Sequence, residues 1–205
     1  LKKKKNYENS KKTIYEVSEI INKSKKPIFV LGQGAIDNDY FLKKIIHKNN
    51  IPYTTTIHGK GIVGDDNSLS LSWLGMHGHA GANYAVQEAD CIIALGSRFD
   101  DRTTGNPEFY APEATKKKQI IHIDIEKKQF RKSINSHYNI NCDSSYFINQ
   151  IESLIKFNIR KNWVKRVKYL KEKYKFKHRL PENNKINTPM AIKSINSYAN
   201  KTNKF

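Results

Sequence analysis

Disulfide chemistry is the first thing this sequence cannot support: its 205 residues hold two cysteines, Cys91 and Cys142, and no C-x-x-C pair. A reducing compartment is expected, and Cys91, heading the apolar run Cys91-Ile92-Ile93-Ala94-Leu95, reads as a buried thiol and not as a nucleophile. Long hydrophobic runs are missing as well. The longest, Pro27 to Leu31 and Cys91 to Leu95, fall far short of the roughly 20 residues a membrane span needs, so no membrane partner is expected. No apolar segment follows the opening Leu1-Lys2-Lys3-Lys4-Lys5, so no secretory signal is visible there, and a start on Leu1 in place of Met suggests a piece of a longer product. Self-contained catalytic signatures are also lacking: there is no H-E-x-x-H, no Ser-His-Asp spacing and no Walker loop. The expectation is a binding domain.

Charge of one sign dominates, with a formal net charge of +18. Such an excess ordinarily raises nucleic acid as a partner. Its distribution argues against that reading. From Thr54 to Ala114 the basic residues are Lys60, Arg98 and Arg102, set against eight acids, for a local net charge of −5. The excess is mostly lysine toward the two ends, accompanied by asparagine and isoleucine, which suits solvated surface better than a readout face built from arginine and stacking aromatics. No nucleic-acid partner is expected.

Along the chain, short apolar runs alternate with helical patterns, the rhythm of a parallel sheet covered by helices. Residues 1–12 read as a basic, disordered lead-in. Thr13 to Lys23 carries Ile14, Val17, Ile20 and Ile21 at helical spacing. The run Pro27 to Leu31 predicts a buried strand ending in Gly32-Gln33-Gly34, and Tyr40 to Lys48 predicts the helix that follows. Strands are also expected at Ile51 to Thr55, Cys91 to Leu95 and Gln119 to Ile125, with helices over Ala82 to Glu88 and Ser144 to Ile155. The fold class is α/β: a doubly wound, mostly parallel sheet over residues 13–157 with helices on both faces. Residues 158–187 read as a helical connector carrying Trp163, Val167, Leu170 and Tyr174, with Pro181-Glu182-Asn183-Asn184 a loop. In 188–205, Thr188-Pro189 reads as the cap and first turn of a helix that opens a further domain.

Several loops carry candidate chemistry. Gly32-Gln33-Gly34 lets backbone approach a phosphate or an adenosine, although Asp37 stands where the dinucleotide fingerprint has its third glycine, and a plain tight turn fits equally. Thr54-Thr55-Thr56-Ile57-His58-Gly59 supplies hydroxyls and amides at a strand's end, or simply a glycine-rich loop. His77 and His79 form an H-x-H pair that, with Asp100 or Asp101, could ligate a metal; without a third fixed ligand, hydrogen-bonding and packing roles are favoured, and no metal is expected. Arg98 and Arg102 flank Asp100-Asp101 just past a strand, where one arginine can face a ligand phosphate while a carboxylate fixes its fork or meets a ribose hydroxyl. His122-Ile123-Asp124-Ile125 ends a strand with an acid suited to a ribose or an adenine amine.

These residues, taken in order, resemble one family. Leu74-Gly75-Met76-His77-Gly78, Ala82-Asn83-Tyr84-Ala85-Val86-Gln87-Glu88-Ala89-Asp90, Arg98-Phe99-Asp100-Asp101-Arg102, Thr104-Gly105, Phe109, Ala111-Pro112 and His122-Ile123-Asp124-Ile125 follow the pattern of the acetolactate synthase large catalytic subunit, a thiamine diphosphate enzyme. The resemblance implies the central domain, which in that family binds FAD. By position, FAD would be lined by Gly32, Gln33, Gly34, Thr56, Ile57, His58, Leu74, Gly75, Met76, His77, Gly96, Ser97, Arg98, Asp100 and Arg102, with Asp124, Ile125, Asp143 and Ser144 on the adenosine side. Met76 and Asp101 would stand beside the substrate channel.

The implied reaction decarboxylates pyruvate on thiamine diphosphate and Mg2+ and joins the product to a second pyruvate or to 2-oxobutyrate, in branched-chain amino acid synthesis. The resemblance places its catalytic residues in other domains, so the fragment alone is expected to be inactive. Its implied partners are the remaining domains of the same polypeptide, a homodimer or higher oligomer, and a regulatory small subunit. The implied location is the cytoplasm of a bacterium, or a mitochondrion or plastid of a eukaryote. Cys142 and Ser97 depart from the family's usual glycine and alanine. Another thiamine diphosphate-dependent oxo-acid decarboxylase or oxidase, and a stand-alone nucleotide- or nucleic-acid-binding module, are the alternatives.

Overall fold

Alternating side chains along two central strands sort the molecule into two layers. In the computed structural model, which describes residues 7–177 and 185–202, β1 (Pro27–Leu31) and β4 (Cys91–Leu95) lie side by side in parallel. Phe29, Leu31, Cys91, Ile93 and Leu95 point to one face; Ile28, Val30, Ile92 and Ala94 point to the other. Both sets are buried, which is why these runs are continuously apolar. On the first face pack α1 (Glu8–Lys23), α2 (Asp39–Asn49) and α6 (Ser144–Ile151), through Ile14, Val17, Leu42, Ile46, Phe147 and Ile151. The second is covered by α3 (Ala80–Glu88), α5 (Pro112–Lys116) and α7 (Lys161–Lys173), through Ala82, Val86, Ala114, Trp163, Val167 and Leu170.

The sheet is completed by β2 (Tyr53–Thr55), β3 (Ser70–Trp73), β5 (Ile120–Asp124) and β6 (Tyr138–Asn141). Among the described residues, six strands run in the order β3-β2-β1-β4-β5-β6 and every pairing is parallel. This is the expected doubly wound α/β fold, and its order reverses between β1 and β4. The edge strands β3 and β6 were not anticipated. Their sequences, Ser-Leu-Ser-Trp and Tyr-Asn-Ile-Asn, are short and half polar, as suits edges with one partner.

Three boundaries differ from the sequence expectation. Helix α1 begins at Glu8, inside the segment read as a disordered lead-in, and the Tyr7 ring meets Tyr146 of α6 at 4.9 Å. Residues 1–6 and the loop expected at Pro181-Glu182-Asn183-Asn184 lie outside the described residues. Helix α7, read as a connector, lies on the sheet: Trp163 is 3% exposed and its indole donates to the Pro27 carbonyl at 2.8 Å. The first unit of the chain accordingly runs to Tyr174 and not to 157, and a second begins at Lys175. Within that second unit, α8 (Thr188–Thr202) is capped by Asn187, whose side chain accepts from the Met190 N–H at 3.1 Å, so Thr188 falls inside the helix. No described helix is long and apolar enough to cross a membrane.

Candidate functional site

At the carboxyl ends of β1 and β4, where the strand order reverses, two glycine loops cross in near contact. Gly32 donates to the Leu95 carbonyl at 2.8 Å and Gly34 to the Gly96 carbonyl at 3.2 Å. A Cβ on Gly32 would lie 2.1 Å from the Gly96 oxygen, and Gly96 itself has φ 55°, so this crossing tolerates no side chain. The turn leads into a 3-10 segment, Gln33–Asn38, and α2 then starts at Asp39, one residue before the helix expected from Tyr40.

Beside this crossing, a cavity of about 340 Å³ is lined by Gln33, Gly34, Thr56, His58, Gly96, Ser97, Arg98, Asp100 and Asp124. A second, of about 320 Å³, is lined by Thr56, Ile57, His58, Leu74, His77, Arg98, Asp100 and Arg102. Thr56, His58, Arg98 and Asp100 border both, so the two form one groove along the strand tips, from β5 to β3. Parallel sheets place ligands at such an edge, beside the reversal of strand order.

Short-range structure explains how the motifs meet there. The Met76 N–H donates to the Arg102 carbonyl at 2.8 Å, and a Cβ on Gly75 (φ 111°) would fall 2.3 Å from that same oxygen. Asn83 at the start of α3 bonds both sides of Gly75, accepting from its N–H at 2.8 Å and donating to its carbonyl at 3.0 Å. Thus the loops at 74–77 and 100–105 are stitched together by backbone, with Asn83 as the peg. Phe99 adopts φ 51° with its ring buried edge-on to His122, 4.9 Å between centroids, while Arg98 stays exposed in the groove. His122 Nε2–H donates to the Ser97 carbonyl (2.8 Å), and burial pushes its imidazole down to about 4, so it is a neutral packing group. Burial raises the Asp124 carboxyl, against the lowering effects of its Glu126 N–H bond (2.8 Å) and of Arg98.

Not every expected residue reaches the groove. Asp143 caps α6, accepting from Ser145 at 2.8 Å, and Ser144 is buried; neither lines either cavity. They follow β6, one strand beyond the reach of the cleft. Ile125 is 51% exposed beside the cavity without lining it. Asp100 does not fix an arginine fork: it accepts from the Thr103 N–H (3.0 Å) and hydroxyl (2.8 Å), capping the short helix α4 (Asp101–Thr104). Asp101 and Arg102 approach at 4.0 Å with both side chains largely in solvent, a weak pair. The Arg102 guanidinium lies 3.8 Å from the Met76 sulfur, and Met76 is 60% exposed above Gly75. His79 stands just before α3, and burial first, then the charge of Lys171, shifts its imidazole below the ordinary histidine value. Among the described residues, no three His, Cys, Asp or Glu side chains gather as a metal site would require.

Two residues that line the first cavity went unread in the sequence: Glu126 and Gln129, which bracket the 3-10 turn that follows β5. Only their position after a strand ending in Asp124 could have signalled them. Gln129 Oε1 and Ser97 Oγ are buried without a hydrogen-bond partner. Both residues line the first cavity, so these atoms are available to a polar ligand there.

Comparison with known proteins gives this geometry a context. The family model described as "Thiamine pyrophosphate enzyme, central domain" matches residues 14–151. The chain is 34% identical over 201 residues to the mitochondrial acetolactate synthase catalytic subunit of Saccharomyces cerevisiae, covering 93% of the chain and 29% of that protein. It is 35% identical over 154 residues to the acetolactate synthase isozyme 1 large subunit of Escherichia coli, covering 75% of the chain and 27% of that protein. To a probable chloroplastic acetolactate synthase 2 of Oryza sativa it is 40% identical over 128 residues, covering 62% and 19%. The chain spans less than a third of the length of these curated relatives. By its six parallel strands, by the groove at their tips and by a match over residues 14–151, the chain belongs to the thiamine pyrophosphate enzyme central-domain family.

Proposed function

We propose that this chain is the FAD-binding middle portion of an acetolactate synthase catalytic subunit. The observation that carries the reading is the continuous groove across the strand tips, with the Gly32/Gly96 crossing at its centre. A flavin dinucleotide is long and polar, and the features along the groove match its parts in kind. The bare glycine backbone and Arg98 suit a diphosphate. Asp124, Glu126 and Gln129 at the β5 end offer acceptors for ribose hydroxyls and an adenine amine. At the β3 end, Ile57, Leu74 and His77 give a less polar wall for a flexible chain and a ring. The orphaned Ser97 Oγ is a polar atom that such a ligand would satisfy.

In the parent enzyme, thiamine diphosphate held with Mg2+ supplies the electron sink for pyruvate decarboxylation and condensation with a second oxo acid. The part of the present residues is to bind and orient the flavin and, through Met76 and Asp101, to border the approach to the reacting centre. The 205 residues correspond to less than a third of each relative, which supports inactivity of the segment by itself. The partners we propose are the rest of the same polypeptide, a second copy and a regulatory subunit. The compartment we propose is bacterial cytoplasm, mitochondrion or plastid.

Titration of FAD into the folded chain tests the reading. Flavin fluorescence should be quenched and the melting temperature raised, and Arg98→Ala should weaken both effects. A melting curve and an emission spectrum indifferent to FAD would refute it.

A further inference from the structure

The opposite edge of the sheet carries a second cavity, of about 600 Å³, lined by Lys23, Lys25, Lys26, Arg160, Lys161 and Arg166 together with Ser24, two asparagines and Trp163. No carboxylate lines it. Lys25 and Lys26 immediately precede β1, so this cavity opens at the amino ends of the strands, about 16 Å from the groove for a five-residue strand. The nearest acids are already engaged. Glu88 takes both nitrogens of a fork from Arg166, at 2.9 and 2.5 Å. Asp90 accepts the Lys25 and Lys26 N–H groups at 3.0 and 2.8 Å and pairs with Lys117 at 3.2 Å.

Arg160 is the most telling member. It is 7% exposed, and its guanidinium donates only to carbonyls: Ile21 and Asn49 at 2.9 Å, Ser24 at 3.2 Å and Asn158 at 3.4 Å. Carbonyl dipoles at the ends of α1 and α2 hold the side chain in place; Asp90 is near enough to act on it through space, but makes no ion pair with it and is already engaged by Lys25, Lys26 and Lys117. Arg160 is also the residue before α7 and supplies no side-chain cap, so the first-turn N–H groups of that 13-residue helix open on the same side. A buried guanidinium bonded to carbonyls alone, an uncapped helix start and four lysines converge on one cavity.

From this convergence we infer that the cavity binds a linked phosphate chain, a diphosphate or triphosphate, independently of the flavin groove. With Arg166 offset by Glu88, five cations are left. A single phosphate carries about −2 and offsets fewer than half of them, whereas two or three linked phosphates come close to balance. The volume lies well inside the range of about 300–1,000 Å³ usual for small-ligand sites.

Calorimetric titration of the chain with inorganic pyrophosphate at physiological salt, followed by 15N amide spectra, provides the test. Saturable one-to-one binding is expected, with shifts at Lys161 and Asn162. Lys25→Gln/Lys161→Gln should weaken it at least about tenfold, equivalent to about 1.4 kcal/mol. The charge-matched Lys48→Gln/Lys116→Gln should leave it within a small factor, and Arg98→Ala should not change it. Equal weakening by the two lysine pairs would reduce the effect to diffuse charge and overturn the assignment. Loss on Arg98→Ala alone would place the probe in the flavin groove and overturn it too. Absence of saturable binding would do the same.

Discussion

Replacing Gly32 with alanine tests the idea on which the groove rests, that two backbones must touch at the reversal of strand order. The added Cβ would sit 2.1 Å from the Gly96 oxygen and 2.6 Å from the Ser97 Cα, all of it main chain. No rotamer relieves such a clash, so the tips of β1 and β4 must part by roughly 1 Å to reach ordinary contact distance. That motion strains the Gly32 to Leu95 hydrogen bond of 2.8 Å. Overpacking of this kind costs about 1–3 kcal/mol, and rigid backbone on both sides puts it near the upper end. For a chain of this size, about 3 kcal/mol lowers the melting temperature by roughly 6–12 °C. Gly61 is the control: its φ is 93° but nothing lies within 4 Å, so alanine there meets only the left-handed penalty, about 1 kcal/mol. Circular dichroism melts, with and without FAD, read both effects. Gly32→Ala should melt well below Gly61→Ala and lose the rise induced by FAD. A Gly32→Ala chain that melts no lower than Gly61→Ala, and still responds to FAD, would refute the account of the crossing.

Two other outcomes follow from packing and burial. Trp163→Ala should cost about 3–5 kcal/mol in chemical denaturation, because the indole is buried in the core and bonded to the Pro27 carbonyl; a cost near zero would return α7 to the status of a connector. His122 is neutral when folded, depressed by burial to about 4, and titrates near its ordinary 6.5 when unfolded. Its contribution is thus complete above pH 6.5 and is lost as pH falls from there toward 4, because the unfolded chain takes up the proton first, at up to about 1.4 kcal/mol per pH unit. His122→Gln should flatten the acid limb of the stability curve by that amount, and an unchanged limb would contradict the assignment.

The fold was legible wherever a strand is buried on both faces. Pro27 to Leu31 and Cys91 to Leu95 are unbroken apolar runs because each packs against a helical layer above and below. Ser70 to Trp73 and Tyr138 to Asn141 escaped notice because a short edge strand can alternate polar groups and needs little apolar content. Helix α7 misled for a related reason: eight of its thirteen residues are charged or asparagine, and the three that enter the core, Trp163, Val167 and Leu170, look like the sparse stripe of an isolated helix. The lysines on its outer face conceal how fully its inner face is used.

The groove was legible for a different reason: its loops follow directly from strand ends, so sequence order translates into spatial order there. Gly32, Thr56, Leu74, Gly96 and Asp124 each stand within one residue of the last position of a strand or on it, and parallel pairing brings all five to one edge. What spacing alone cannot tell is the use to which a polar side chain is put. Asp100 and Asp143 carry the same carboxylate as Asp124, yet both stand one position before a helix and cap its free N–H groups, Asp100 while still bordering the groove, whereas Asp124 ends a strand and lines the cleft with no helix to cap at the next residue. Three aspartates after three strands therefore have two roles, decided by whether a helix begins at the next residue. The lysine excess is decided the same way. Among the described residues, lysines gather on the surface of helices such as α7 and at the amino edge of the sheet, and none lines the groove at the carboxyl edge.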